Sequence, residues 1–326
     1  MTFDTDVLVL GAGPAGCAAG IHARRMGLRV MMLETSASPK ASPGETLHPG
    51  IEPLLKQLGV FEQVLSAGFS RHRGVWFQEK CSGSRRFLPY GEDADGSWSG
   101  FQADRRILQY ILQQAAIEAG VEIFRSARPL EVLLKDGRVI GVKTKDRCFR
   151  AMWALDATGR FAWLTKALAL PMSICSPSLS VRFGWRNETL PELEGQPLFA
   201  FREDGWVWQA QIEGHRTAWA ELHIGESVSS GIDVTWRICH DCAGSGFFLI
   251  GDAAAVLDPS SSHGVLRAIM SGIMASHLIS SCFYKHLDEE HAISTYKAWL
   301  AEFFAHDMGR LRQIYIESSA GRRFIE

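Results

Sequence analysis

Near the start of the chain the apolar run Val7-Leu8-Val9-Leu10 stops at Gly11-Ala12-Gly13-Pro14-Ala15-Gly16. A continuous apolar run buries both of its faces, as strands of parallel sheets do. A GxGxxG hexamer between such a strand and a helix is the dinucleotide-binding turn. Gly11 permits the tight turn, Gly13 lets a pyrophosphate approach the backbone, and Gly16 allows helix and strand to pack closely. Pro14 and Ala15 open the helix, whose unpaired N–H groups carry positive potential. A second apolar run over 29–33 ends at Glu34, eighteen residues past Gly16. A carboxylate there can accept hydrogen bonds from ribose hydroxyls and repels a 2′-phosphate. The spacing predicts strand, helix, strand.

A second junction of this kind lies far along the chain. Leu249-Ile250-Gly251-Asp252-Ala253-Ala254-Ala255 carries an acid at the tip of a strand, and Asp258-Pro259 through Ser262-His263-Gly264-Val265 leads into a long helical segment. A nicotinamide enzyme needs one dinucleotide element. Two separated elements suit a flavin: one grips the pyrophosphate and adenosine, and the other holds the ribityl chain and ring. The sequence therefore predicts FAD as the cofactor.

Between these elements, 53–65 reads as an amphipathic helix, and 74–100 mixes Trp76, Phe77, Phe87, Tyr90 and Trp98 with Gly and Ser, as short strands and loops do. Helical periodicity returns over 107–119, then a strand over 121–124 and a hairpin turning at Asp136-Gly137. Residues 171–236 are rich in Trp, Phe, Gly and Pro with short alternating runs, a second and mostly β region, and 265–287 and 293–316 both read as helices. At 326 residues with 46% hydrophobic and 21% charged, the chain has material for two domains interwoven in sequence. A net charge of −2 provides no field for nucleic acid or an anionic membrane. The N-terminus has no basic region before its apolar run, and the longest uncharged stretch, 268–284, contains several serines and is short for a span, so it reads as a buried helix in a cytoplasmic protein.

These motifs resemble the superfamily of FAD-dependent aromatic hydroxylases and flavin-dependent halogenases, over most of the chain. The resemblance implies an α/β fold: a Rossmann-like FAD-binding domain of the aromatic hydroxylase and glutathione reductase type from 1–74, 101–170 and 245–285. A smaller, mostly antiparallel β substrate domain would come from 75–100 and 171–244, and C-terminal helices from 286–326. Gln102-Ala103-Asp104-Arg105 is similar to the segment from which an arginine, Arg105 helped by Gln102, reaches FAD. Pro43-Gly44-Glu45-Thr46-Leu47-His48-Pro49 is similar to the loop that passes the flavin, which implies a contact from Thr46. Asp156-Ala157-Thr158-Gly159-Arg160 resembles the Asp-Ala-Ser-Gly element of halogenase-like members rather than the Asp-Gly signature of NADPH-linked hydroxylases, so reducing equivalents are expected from an external flavin reductase or other donor. Trp206-Val207-Trp208 matches the first half of a halogenase signature that Gln209-Ala210-Gln211-Ile212 does not complete. The stretch Gly68-Phe69-Ser70-Arg71-His72-Arg73-Gly74 lacks the lysine halogenases use, and an arginine is a poor substitute for a reactive amine.

The run from Trp236 through Cys239-His240-Asp241-Cys242 to Gly264 looks most like flavoproteins that mature cysteine tryptophylquinone oxidases. That likeness implies a monooxygenase oxygenating a tryptophan side chain in the precursor of a quinone-containing amino-acid oxidase. The alternatives are a halogenase or small-molecule aromatic monooxygenase, and an FAD-binding chaperone of the oxidase without turnover. The superfamily resemblance implies that Asp252, after Gly251, binds the ribityl hydroxyls, and that the backbone near His263, Gly264 and Val265 faces the flavin. His48, His72 and His263 are each a candidate acid or base near it, or structural. Seven scattered cysteines argue against a disulfide framework. Cys239 and Cys242 are either a redox dithiol or packing residues. The tryptophans of 171–236 line an aromatic pocket or fill the core. No metal-ligand cluster is assigned.

Overall fold

The computed structural model describes residues 2–38, 44–79, 84–94, 96–225 and 231–325. Pro43 of the flavin-passing loop and Cys81 lie outside the described residues. The apolar runs read from the sequence become neighbours in one sheet. Parallel strands follow the order Glu122–Arg125, Val30–Glu34, Thr5–Leu10, Cys148–Asp156, and Phe247–Leu249 pairs with the far side of the last. Thr5–Leu10 is central and every one of its residues is buried, which is why its apolar run does not alternate. Leu10 stands level with Leu33 on one side and Asp156 on the other, and Asp156 with Leu249. The turns at Gly11, Thr35, Ala157 and Ile250 therefore emerge along one edge, at the carboxyl ends of the strands, where ligands of open α/β sheets bind.

The near half of Cys148–Asp156 pairs antiparallel with Arg138–Lys143, itself in a hairpin with Glu131–Lys135. Asp136 and Gly137 turn it with both φ positive, 51° and 77°, the conformation that matches strand twist in a two-residue hairpin.

Helix Pro14–Arg25 packs on the sheet between Arg105–Glu118 and Gly264–Phe283. Its contact with Gly264–Phe283 is backbone to backbone: a Cβ on Gly272 would sit 2.3 Å from the Ala15 carbonyl oxygen. Gly264–Phe283 is long and apolar enough to cross a membrane by length and composition alone, yet half of it is buried inside the fold against the first helix. The helix expected over 53–65 is instead two, Glu52–Gln57 and Phe61–Ser66. Gly59, at φ 69°, breaks the first with a left-handed residue.

Seven strands form a second sheet in the order Ile232–Asp233, Leu179–Arg186, Arg216–Ile224, Gly205–Glu213, Leu198–Arg202, Gly74–Glu79, Arg85–Pro89. All its pairings are antiparallel except that of Leu198–Arg202 with Gly74–Glu79. Ala243–Gly244, at the edge of the second unit in the sequence reading, hydrogen-bonds to Phe247–Leu249 in the first sheet. A small sheet of Glu45–Leu47, Gly100–Ala103 and Ser70–His72 lies between. The C-terminal helix Glu289–Glu317 joins the two bodies: the Tyr296 hydroxyl donates to the Leu249 carbonyl (2.7 Å), and the Trp206 indole N–H donates to the Tyr315 hydroxyl (2.7 Å).

Candidate functional site

A cavity of about 590 Å³ runs from the glycine turn to the second sheet, within the range of cofactor pockets. At one end stand Gly11, Gly13, Pro14, Ala15 and Glu34. Gly11 adopts φ 104°, and a Cβ there would lie 2.5 Å from the Ala157 carbonyl, so the turn requires glycine twice over. Gly13 differs: a Cβ would meet nothing within 4 Å, because the space in front of it is the cavity. Gly16 is not in the wall, since its Cβ position lies 2.0 Å from the Gly11 carbonyl and its task is packing. The Glu34 carboxylate accepts from the Ala12 N–H (3.0 Å) and the Ser36 N–H (2.7 Å), which fixes it at the end of its strand. Gln109 and Gln113 of Arg105–Glu118 both donate to the Ala12 carbonyl and hold the turn from behind. No local motif in the sequence marks these two glutamines.

Midway along the cavity lie Thr46, Arg105, Gly251, Asp252, Gly264 and Val265. Gly264 opens the twenty-residue helix Gly264–Phe283, and a Cβ on it too would meet nothing within 4 Å. Two helix N-termini thus face one open space with no side chain in front of either, a cradle for an anionic, elongated ligand. The Asp252 carboxylate makes no hydrogen bond to another described residue. An adenine dinucleotide with a polyol chain fits these donors and acceptors: glycine turn for the pyrophosphate, Glu34 for ribose, Asp252 for ribityl hydroxyls. Arg105 forms an ion pair with Glu45, a residue the sequence placed only within a loop.

The far end is aromatic. Val181, Phe183, Phe199, Trp206 and Trp208 line it from the second sheet. Trp206 and Trp208 share a face because side chains alternate along a strand. The Trp208 indole N–H donates to the Thr46 hydroxyl (3.1 Å), which donates to Gln102 Oε1 (2.8 Å). Both indole N–H groups are thus spent on protein partners. The described lining contains arginines at 105, 128 and 160 and no lysine.

Besides Gly16, three expected site residues lie outside the lining. Gln102 is fully buried, accepts from the Thr46 hydroxyl and is absent from the lining. His48 and His263 are absent from the lining and pack ring to ring, 4.8 Å between centroids. Ser262, left-handed at φ 55°, turns the chain so that it and Gly264 face the cavity while His263 does not. His48 Nδ1 accepts from the Gly50 N–H, and burial pushes His263 down to about 4. Neither is placed as an acid or base at the cavity. Arg71 is stacked 4.1 Å above Phe101, also outside the lining. Cys239 and Cys242 are buried free thiols outside the cavity lining, and burial pushes both up, Cys242 to about 12, which disfavours the thiolate form. Asp156 is fully buried and accepts from Thr158 and from the Leu164 N–H (2.7 Å), holding the third turn of the strand edge. No group of three or more potential metal ligands occurs among the described residues.

His72, fully buried beside Tyr90, is pushed by burial from 6.5 down to about 4. In the unfolded chain it protonates first, so its share of stability is intact above pH 6.5 and is lost as pH falls toward 4. The expected result is a loss in wild type, over that window, of up to about 1.4 kcal/mol per pH unit more than in His72→Gln, read by urea denaturation. Parallel pH dependence in the two proteins would exclude this role.

Comparison with known proteins agrees with the cavity. The family described as FAD dependent oxidoreductase matches residues 6–167. A tryptophan 2-halogenase of Chondromyces crocatus is 26% identical over 90% of this chain, which spans 64% of the relative's length. A Pseudoalteromonas luteoviolacea brominase of 1H-pyrrole-2-carbonyl peptidyl-carrier protein is 26% identical, over 84% of this chain and 77% of its own. Among solved structures, the myxobacterial chondrochloren halogenase CndH superposes with a TM-score of 0.85 at 20% identity, covering 96% of this chain and 83% of that one. The probable FAD-dependent monooxygenase PqsL of Pseudomonas aeruginosa does so at 0.82 and 15%, over 98% and 97%. The α/β architecture with its FAD-type Rossmann sheet is therefore shared with both kinds of protein. The family match over residues 6–167, the glycine turn and the second helix N-terminus converge on one cavity, and the cofactor they point to is FAD.

Proposed function

We propose that the chain is a monooxygenase acting on an electron-rich aromatic ring of the indole class. The observation that carries this reading is the aromatic chamber continuous with the cofactor cavity and lined, among the described residues, without a lysine. Bound and reduced, FAD supplies the oxygen chemistry. The chain's own residues position and shield. Phe199 and the two anchored indoles, Trp206 and Trp208, offer ring faces and edges against which a substrate ring stacks. Buried Val181 and Trp206 keep water from that end, and an oriented ring close to the cofactor gains the advantage of proximity. The Asp156 carboxylate, committed to Thr158 and Leu164, is unavailable for a nicotinamide. That favours reducing equivalents from a separate flavin reductase or other donor.

The finer reading is that the ring is a tryptophan side chain in the precursor of a quinone-containing amino-acid oxidase. It rests on the likeness of the stretch from Trp236 to Gly264, and on a rim where Phe161 and Phe183 are 49% and 39% exposed, open to a macromolecule. Incubating the precursor with this protein, FAD, a reductant and oxygen should raise the precursor's mass by oxygen-sized steps. Unchanged mass with normal folding of the oxidase favours a chaperone without turnover. Turnover of free indoles or phenols without the precursor favours a small-molecule enzyme. The second reading, halogenation, is favoured by the halogenases among the relatives. It predicts products that depend on added chloride or bromide, whereas the monooxygenase reading predicts the same product in halide-free buffer.

A further inference from the structure

Carboxylates at 34, 45 and 252 and guanidinium groups at 105, 128 and 160 share the cavity wall, so its formal charges cancel. FAD brings a dianionic pyrophosphate into that balanced space. One of the three acids has a buried oxygen left without a partner. Glu34 spends its oxygens on backbone N–H groups, and Asp252 is only half-buried at the open cavity. Glu45, on the short strand Glu45–Leu47, gives one oxygen to Arg105 of helix Arg105–Glu118, while its other oxygen, Oε2, is buried with no hydrogen-bond partner among the described residues. Burial raises its affinity for a proton, the Asp252 carboxylate adds to this, and Arg105 opposes it without reversing it.

We propose that Glu45 takes up one proton from solvent when FAD binds, releasing Arg105 from its ion pair to the cofactor's phosphates. The proton closes an O–H bond on Glu45, and no electron moves. Two like charges in one partly dehydrated cavity cannot both persist cheaply, and the carboxylate is the member that can neutralise itself. Arg105, always charged, then has the pyrophosphate as its counterion. The residue acts as a competitor for the cofactor's cation, and FAD capture weakens as pH rises. This holds whatever reaction the cofactor performs.

The test measures binding and needs no substrate. FAD is titrated into the apoprotein by calorimetry in buffers of different ionisation heat, and Kd is followed by flavin fluorescence from about pH 6 to 8.5, below flavin ring ionisation. The expected result is uptake of about one proton and a Kd that rises up to tenfold per pH unit. In Glu45→Gln the uptake disappears, the pH profile is flat, and FAD binds more tightly than wild type at the alkaline end. Wild type binding FAD without proton uptake overturns the proposal, as does undiminished uptake in Glu45→Gln. The wild-type measurement alone decides if the variant fails to fold.

Discussion

Gly13→Asp is expected to abolish FAD binding while leaving the apoprotein as stable as before. Gly13 is the N-cap of Pro14–Arg25, with φ −76° and ψ −178°, extended backbone that any residue adopts. A Cβ there meets nothing within 4 Å. Aspartate is among the best N-cap residues and exceeds glycine by a few tenths of a kcal/mol, so the fold should gain slightly. The same carboxylate stands where the pyrophosphate approaches. At about 4 Å and an effective dielectric near 20, like charges repel by about 4 kcal/mol, roughly a thousandfold in Kd. Flavin titration and thermal melting of the apoprotein read the two effects separately. An FAD affinity within threefold of wild type would remove the pyrophosphate from this turn. Gly11 offers no such separation, because its positive φ and the nearby Ala157 carbonyl make any side chain there a defect of the fold.

That contrast marks what was readable beforehand. The roles of Gly11, Gly13, Gly16 and Glu34 follow from local spacing, since strand, turn and helix lie within one stretch of chain. Asp252 belongs to the same kind of local strand-to-turn junction, and it lines the cavity. The Glu45–Arg105 pair was not, because strand and helix meet only through tertiary packing, and an ion pair sixty positions apart leaves no periodic trace. The parallel pairing of Leu198–Arg202 with Gly74–Glu79 is hidden in the same way. His263 stands outside the lining for a different reason. Its neighbours in sequence do line the cavity, but a single left-handed residue, Ser262, decides which side chains point inward, and serine is not a residue that announces φ 55°. Trp206 and Trp208 share a face only once their segment is known to be a strand, and the hydrogen bonds that anchor them come from Tyr315 and Thr46, distant in the chain.

Gly272→Val is expected to cost at least about 4 kcal/mol of stability, and Gly272→Ala about 2 kcal/mol, against the helical preference that favours alanine over glycine by roughly 1 kcal/mol. The clash wins because of what the new atoms meet. A Cβ at Gly272 lies 2.3 Å from the Ala15 carbonyl oxygen and 3.0 Å from the Ala19 nitrogen, both backbone atoms of a helix that cannot rotate aside. Relief requires the helices Pro14–Arg25 and Gly264–Phe283 to separate, and their N-termini are the two that face the cofactor cavity. Separation should therefore weaken FAD binding about tenfold even where the protein still folds, since a positional error in preorganised donors is felt directly in affinity. Gly309 is the internal control. It also lies within a helix, Glu289–Glu317, but its Cβ would meet nothing within 4 Å, so Gly309→Ala should stabilise by up to about 1 kcal/mol and leave FAD affinity unchanged. Urea denaturation and flavin titration of the alanine pair separate helix propensity from packing. If Gly272→Ala stabilised the protein as Gly309→Ala does, the backbone contact between the two cofactor-facing helices would not be present in solution.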